Sequence, residues 1–197
     1  VNDENGNPLK TRDGGTKQLN ELFLETYNYI KKMNDSLDEE NLEILANTVI
    51  TYSDLLTNRK TDYKFDLKKF TNVNGKTGIY IQYALVRAKK LFLDSKVVKK
   101  DLKLNSLFLD TEDIDFLKCL IKFEIHFNQA LTNSEPHHLA DYLYDISNLF
   151  NKIYQSENIL NNENNEKKLN KLLICYYFIE YSNLLMKLLG IRSVSKM

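Results

Sequence analysis

The chain has 197 residues, with 27 Lys and Arg balanced by 27 Asp and Glu, and 43% of it is hydrophobic. Those proportions are ordinary for a globular protein and exclude a low-complexity or strongly charged disordered chain; the length suits one domain with a real core plus an appended segment. No apolar stretch approaches the roughly 18 residues of a membrane span, and the N-terminus lacks the charged-then-apolar layout of a signal peptide, so no membrane role is expected.

Only 6 Gly, 2 Pro and no Trp occur, and apolar residues return every three or four positions, which predicts an all-α fold. The opening VNDENGNPLK has no initiating Met and no residue able to start a core, as expected of a piece cut from a longer protein. A first helix is predicted from Thr16 to Met33, with Leu19, Leu22, Phe23, Tyr27 and Ile30 inward. Ser36 and Glu39 have capping-box spacing for a second helix over 37–57, on Leu42, Leu45, Ala46, Val49 and Ile50. Residues 58–77 alternate in DYKFD before Gly75 and read as hairpin-like. A third helix covers 78–93, followed by a lysine-rich irregular connection over 94–110. One helix is predicted over 111–133. Pro136 opens another that reaches Tyr154, and a last helix after NNENNEKK ends before Gly190, a candidate C′ residue. Cys119 and Cys175 sit in apolar helical patterns without a CxxC, and so read as reduced core thiols of a cytosol-like compartment.

The neutral total hides a polarity. From Arg59 to Lys103 there are 13 Lys and Arg against 4 Asp and Glu; from Leu104 to Glu166 there are 3 against 11. A polyanion responds to the local field and not to the sum, so the basic half is a candidate polyanion surface.

Within it, Tyr80, Tyr83 and Arg87 fall on one arc of a helix, while Ile81, Ala84, Leu85, Ala88 and Phe92 cluster about 110° away with the composition of a core face. Two rings and a guanidinium beside lysines suit the exposed faces and phosphates of unpaired RNA bases. The same pattern also fits two half-buried tyrosines and a surface arginine. Lys76, Lys89 and Lys90, like other lysines of the segment, are candidates for phosphate contact, or simply a solvated face. Tyr154 ends the stripe of Leu139, Leu143, Ile146 and Phe150, where a core role is the default. Lys10, Thr11, Arg12, Gly14, Gly15 and Thr16 form a basic, Gly-rich loop before a helix, able to hold phosphate oxygens. His137 and His138 are neighbours, about 100° apart on a helix, and no metal site is expected of them.

Several segments, in order, resemble one family. KTRDGGTKQLNEL (10–22), NRKTDYKFD (58–66), GKTGIYIQYALVR (75–87), HHLADYLYDISNLFNKIY (137–154) and LLGIRSVSKM (188–197) are similar to the C-terminal part of bacterial-type arginyl-tRNA synthetases, class I aminoacyl-tRNA synthetases with a DALR-type anticodon-binding domain. The resemblance implies a KMSKS-like loop over 1–17 at the end of a catalytic module, connecting helices and a basic loop over 18–75, and a helical anticodon-binding bundle over 76–197. It implies that Tyr80, Tyr83, Arg87 and Tyr154 hold anticodon-loop bases of an arginine tRNA, with Met197 adding an apolar contact. It further implies that Lys10, Thr11, Arg12, Gly14, Gly15 and Thr16 close on ATP, used with magnesium, in a parent arginine–tRNA ligase. No HIGH-type signature is present: the histidines are His126, His137 and His138. The fragment alone is therefore expected to be inactive and cofactor-free. It is expected to be a cytoplasmic monomer (an organelle being the other possible setting), bound to tRNA and to its own catalytic domain, with no DNA partner. The rival reading is a non-catalytic α-helical protein-interaction module.

Overall fold

A computed structural model describes residues 18–197. Eight α-helices follow one another among these residues: α1 (Leu19–Met33), α2 (Glu39–Leu56), the single turn α3 (Leu67–Phe70), α4 (Gly78–Ser95), α5 (Thr111–Leu120), α6 (Phe123–Asn133), α7 (His137–Ser156) and α8 (Asn165–Leu188). Two 3-10 turns, Lys99–Asp101 and Ser106–Phe108, occupy the lysine-rich connection. The all-α expectation holds. The loop Lys10–Thr16 lies outside the described residues.

The helices start where side chains can satisfy their free amides. Thr77 accepts from Tyr80 N at the head of α4, and Asn164 accepts from Lys167 N at the head of α8. At α2 the cap is Asp38, whose carboxylate accepts from Asn41 N at 2.9 Å. Ser36, which the spacing favoured, turns instead to Asn34. Helix α8 ends as predicted at Gly190, in the left-handed region at φ 71°. Ile191 N donates to Met186 O and Gly190 N to Lys187 O, the paired bonds of a Schellman end.

Two apolar clusters form. The larger joins α4, α5, α7 and α8 through Leu85, Phe116, Leu143, Ile146, Phe150 and Phe178, with Phe150 and Phe178 stacked at 4.3 Å. The smaller joins α1, α2 and the C-terminal tail through Ile30, Leu42, Leu45, Val49, Ile79 and Val194. Helix α4 feeds both, Ile79 entering the smaller and Ile81 the larger. Its approach to α2 depends on Gly78: a Cβ there would stand 2.6 Å from Thr48 Cγ2 and 2.9 Å from the Thr48 carbonyl oxygen. Tyr52 crosses from α2, its hydroxyl donating to Ala140 O on α7 at 2.8 Å.

Three expectations need correction. The helix over 111–133 is two helices, broken at Ile121–Lys122. The carbonyl of Leu120 at the break accepts from the Tyr142 hydroxyl on α7 at 3.0 Å, so a long-range partner stabilises an end that no Gly or Pro marks. The 58–77 segment forms no strand ladder among the described residues. Tyr63 and Phe65 alternate because both rings pack on Phe70 of α3, and Tyr63 donates to Asp54. Leu19, expected inward, is 71% exposed at the first residue of α1.

A buried ion cluster ties α5, α7 and α8. Lys171 is fully buried, with Nζ 2.8 Å from Asp110, 2.8 Å from Asp113 and 3.4 Å from Glu157. Burial alone would depress the ammonium, yet hydrogen bonds to Asp110 and Asp113 raise its pKa above the usual lysine value. Burial also pushes Asp110 up, but Lys171 and Lys167 outweigh it and hold the carboxyl below the usual range. Lys171→Met leaves Asp113 buried without its cation, and a loss of about 3–5 kcal/mol is expected in urea unfolding. Adding Asp113→Asn should return part of that loss; a single variant as stable as the parent chain would refute the pairing.

Candidate nucleic-acid interface

Helix α4 buries Ile81, Ala84, Leu85 and Ala88 completely or nearly so. That rotation leaves Tyr80, Tyr83 and Arg87 along the rim facing α7. Tyr83 is 42% exposed, while Tyr80, Arg87 and Tyr154 are half-buried. The Arg87 guanidinium lies 3.9 Å from the Tyr154 ring centroid and 5.0 Å from that of Tyr83. Its Nη1 reaches Asn151 Oδ1 at 3.5 Å. Arg87 is thus a cation held between two rings drawn from two helices, with the Tyr83 ring open to solvent.

Helix α7 supplies partners that were not anticipated. The Tyr80 hydroxyl donates to Asn148 Oδ1 at 3.4 Å, and its ring lies 5.5 Å from that of Tyr144. Burial raises the Tyr80 phenol above its usual pKa, so it remains a hydrogen-bond donor at neutral pH. Tyr144, Asn148 and Asn151 recur at intervals of four and three beside the apolar stripe of α7, and that polar row was the available signal. A stacked guanidinium keeps edge N–H groups free for a base edge or phosphate, and an exposed phenol ring offers a face for stacking.

The lysines do not act as one surface. Lys76 pairs with Asp141 and stands 5.4 Å over the Tyr144 ring. Lys89 lies on another side of α4, half-buried, with its Nζ donating to Ser193 Oγ at 3.0 Å. Lys90 is exposed, close in helical angle to Tyr83.

Met197 is partly buried against the smaller cluster, which also takes in Val86, three residues on from Tyr83. The tail reaches that position because two amide side chains bind its backbone. Gln82 donates to Arg192 O at 2.7 Å and accepts from Val194 N at 3.0 Å, while also donating to Thr48 Oγ1. Asn41 accepts from Ser195 N at 2.9 Å. Gln82 is fully buried, and a buried glutamine inside an apolar helix was a signal left unused.

His137 and His138 do not diverge as their spacing predicted. Their rings approach to 4.2 Å, and the potential ligand atoms of Glu135, His137 and His138 lie within 4.8 Å of one another. Side chains lean back over a helix start, which overrides the angle between neighbouring Cα–Cβ bonds. Among the described residues these three are the group that could hold a small cation, but Glu135 is already engaged, by Lys60 at 3.2 Å and by His138 at 3.3 Å. The Lys60 hydrogen bond is the main reason its carboxyl sits below the usual value.

The fold is an all-α bundle with aromatic rings and a guanidinium stacked on its rim, the class of helical domain to which anticodon-binding modules belong. The chain is a member of the DALR anticodon-binding domain family, whose profile matches residues 81–197. The arginine–tRNA ligase of Francisella tularensis subsp. novicida (strain U112) is 35% identical over 205 residues, spanning all of this chain and 35% of the relative. That of Serratia proteamaculans (strain 568) is 30% identical over 202 residues, spanning 98% of this chain and 35% of the relative. Among solved structures, the arginyl-tRNA synthetase of Plasmodium falciparum superposes with a TM-score of 0.76 at 30% identity, over 91% of this chain and 34% of that one. The Thermus thermophilus arginyl-tRNA synthetase shares the fold, with a TM-score of 0.84 at 20% identity over 98% of this chain and 34% of that one. The chain thus spans about a third of the length of the proteins it matches.

Gln82→Leu removes both tail contacts while preserving side-chain bulk. Val194 N–H and Arg192 C=O then lose their partners, and a destabilisation of about 1–3 kcal/mol is expected, together with faster hydrogen exchange at Val194. Unchanged exchange there would mean that the tail is held by other contacts.

Proposed function

We propose that this chain reads the anticodon stem-loop of an arginine tRNA as the C-terminal part of an arginine–tRNA ligase. The observation that carries this reading is the Arg87 guanidinium resting between Tyr83 and Tyr154, with Tyr83 exposed. An unstacked base lies on the open face of Tyr83, or takes the place of Arg87 against Tyr154 as the guanidinium swings to a base edge or phosphate. Tyr80 fixes the inner wall, Met197 closes the Val86 side, and Lys76 and Lys90 sit where phosphates pass. Lys89 belongs to the same basic helix, behind this rim.

In the parent enzyme, residues 1–17 are the end of the catalytic module, 18–75 the connection, and 76–197 the anticodon-binding domain. Lys10, Thr11, Arg12, Gly14, Gly15 and Thr16 close on ATP with its magnesium, and the partner domain lies upstream. The working compartment is the cytoplasm or an organelle that makes protein. Alone, the chain should give background in an ATP–pyrophosphate exchange assay; robust exchange would place adenylate chemistry inside it.

A stem-loop titration at two salt concentrations, against a loop altered in its anticodon, tests the reading. Tyr83→Ala should weaken cognate binding by about 1–3 kcal/mol with the unfolding free energy unchanged. Lys90→Glu should weaken every RNA alike and lower the salt slope by about one. Absence of binding at low salt would favour a protein-interaction module instead, whose surface would be the α5–α6 corner where Ile121 and Ile125 stand exposed.

A further inference from the structure

Away from the aromatic rim, a solvent-open cavity of about 300 Å³ lies between the last turns of α8 and the returning tail, lined by Asn183, Met186, Lys187, Gly190, Ile191, Arg192 and Ser193. Its floor is apolar, with Met186 buried and Ile191 nearly so. Its polar lining is two cations, an amide and a hydroxyl, with no carboxylate. Gly190 at φ 71° turns the chain so that Lys187, before the turn, and Arg192, after it, line the same space. Both side chains are exposed, and neither forms an ion pair among the described residues. Behind Ser193, Lys89 approaches from α4 with Nζ 3.0 Å from the Ser193 hydroxyl. Lys89 likewise has no ion pair among the described residues, and burial lowers its pKa below the ordinary lysine value. A half-buried ammonium normally gains a carboxylate to offset lost hydration. Here its hydrogen-bond partner is the Ser193 hydroxyl, and no carboxylate pairs with it among the described residues.

We propose that this cavity is an oxyanion site for a phosphate group, held by Lys187, Arg192 and the Ser193 hydroxyl, with Lys89 completing the charge from behind Ser193. The hydroxyl links the two parts: it accepts from Lys89 and is left free to donate its proton to a phosphate oxygen. Arg192 offers a fork of N–H groups to two oxygens, and Lys187 adds a point charge from before the Gly190 turn. The occupant is a phosphate of an RNA backbone or one carried by a small molecule; the recognition chemistry is common to both.

The full chain, labelled with 15N, is titrated with sodium phosphate against sodium chloride at matched ionic strength. Saturable shifts are expected for phosphate alone, confined to the amides of Gly190, Ile191, Arg192 and Ser193. Lys187→Gln with Arg192→Gln should abolish saturation, and Arg192→Gln alone should weaken it several-fold; both side chains are exposed, so far-UV circular dichroism should match the parent chain. Adding the stem-loop to the phosphate-saturated protein identifies the source. Release of the phosphate-shifted signals assigns the site to RNA backbone, and their persistence assigns it to a small phosphate-bearing molecule. Linear drift with both salts, or saturation undiminished in the double variant, would overturn the site. The phosphate arm uses no RNA, so its outcome is independent of whether Tyr83 reads a base.

Discussion

The structure turns on how tightly α4 is surrounded. Ala84 and Ala88 are small and fully buried in the larger cluster, and Gly78 lets α2 approach until its Thr48 carbonyl leaves no room for a methyl group. With three sides taken, the remaining arc is narrow. Whatever stands on it is forced to the rim, half covered and half open, and that is where Tyr80, Tyr83 and Arg87 stand. Small residues at the helix contacts therefore fix the exposure of large ones on the rim, a link that does not depend on any loop.

The proposed interface is composite. Helix α4 contributes Tyr83 and Arg87, α7 contributes Tyr154 with Asn148 and Asn151, and the tail contributes Met197 from the far side through the hold of Gln82 and Asn41. In the free chain Arg87 already lies on Tyr154, so the cationic group is pre-placed. Tyr83, Arg87 and Tyr154 rest on regular helices, where their backbone is fixed before any ligand arrives. Met197 differs, since its position depends on amide side chains stapling an irregular segment.

What the sequence made legible follows from local periodicity. The stripes of α2, α4 and α7, the Gly190 end and the Tyr80–Tyr83–Arg87 arc are all statements about residues three or four apart, and they match the structure. Several of the failures trace to a distant partner, and others to local detail that periodicity does not resolve. Nothing near Ile121 announces a break, because the Tyr142 hydroxyl that receives the loose end of α5 is 22 residues away. The alternation in DYKFD looked like a strand because two rings happen to insert beside Phe70. Asp38 took the cap from Ser36 by being two residues closer to the helix. Lys171 gives no sign in an apolar helix that it is fully buried, since its acids come from two other helices. The lysines show the same limit: composition located the positive charge, but only the fold reveals that Lys76 also pairs with Asp141 and that Lys89 faces Ser193.

The ammonium of Lys171 also governs how the chain comes together. An apolar helix can dock loosely and tighten later, because partial contact already yields partial gain. A bare cation loses hydration as soon as α8 approaches and recovers it only when the carboxylates of α5 and the end of α7 arrive together. Half-assembled arrangements are thus penalised, and the bundle should snap shut in a single concerted event, with few lingering intermediates exposing sticky surface to other nascent chains.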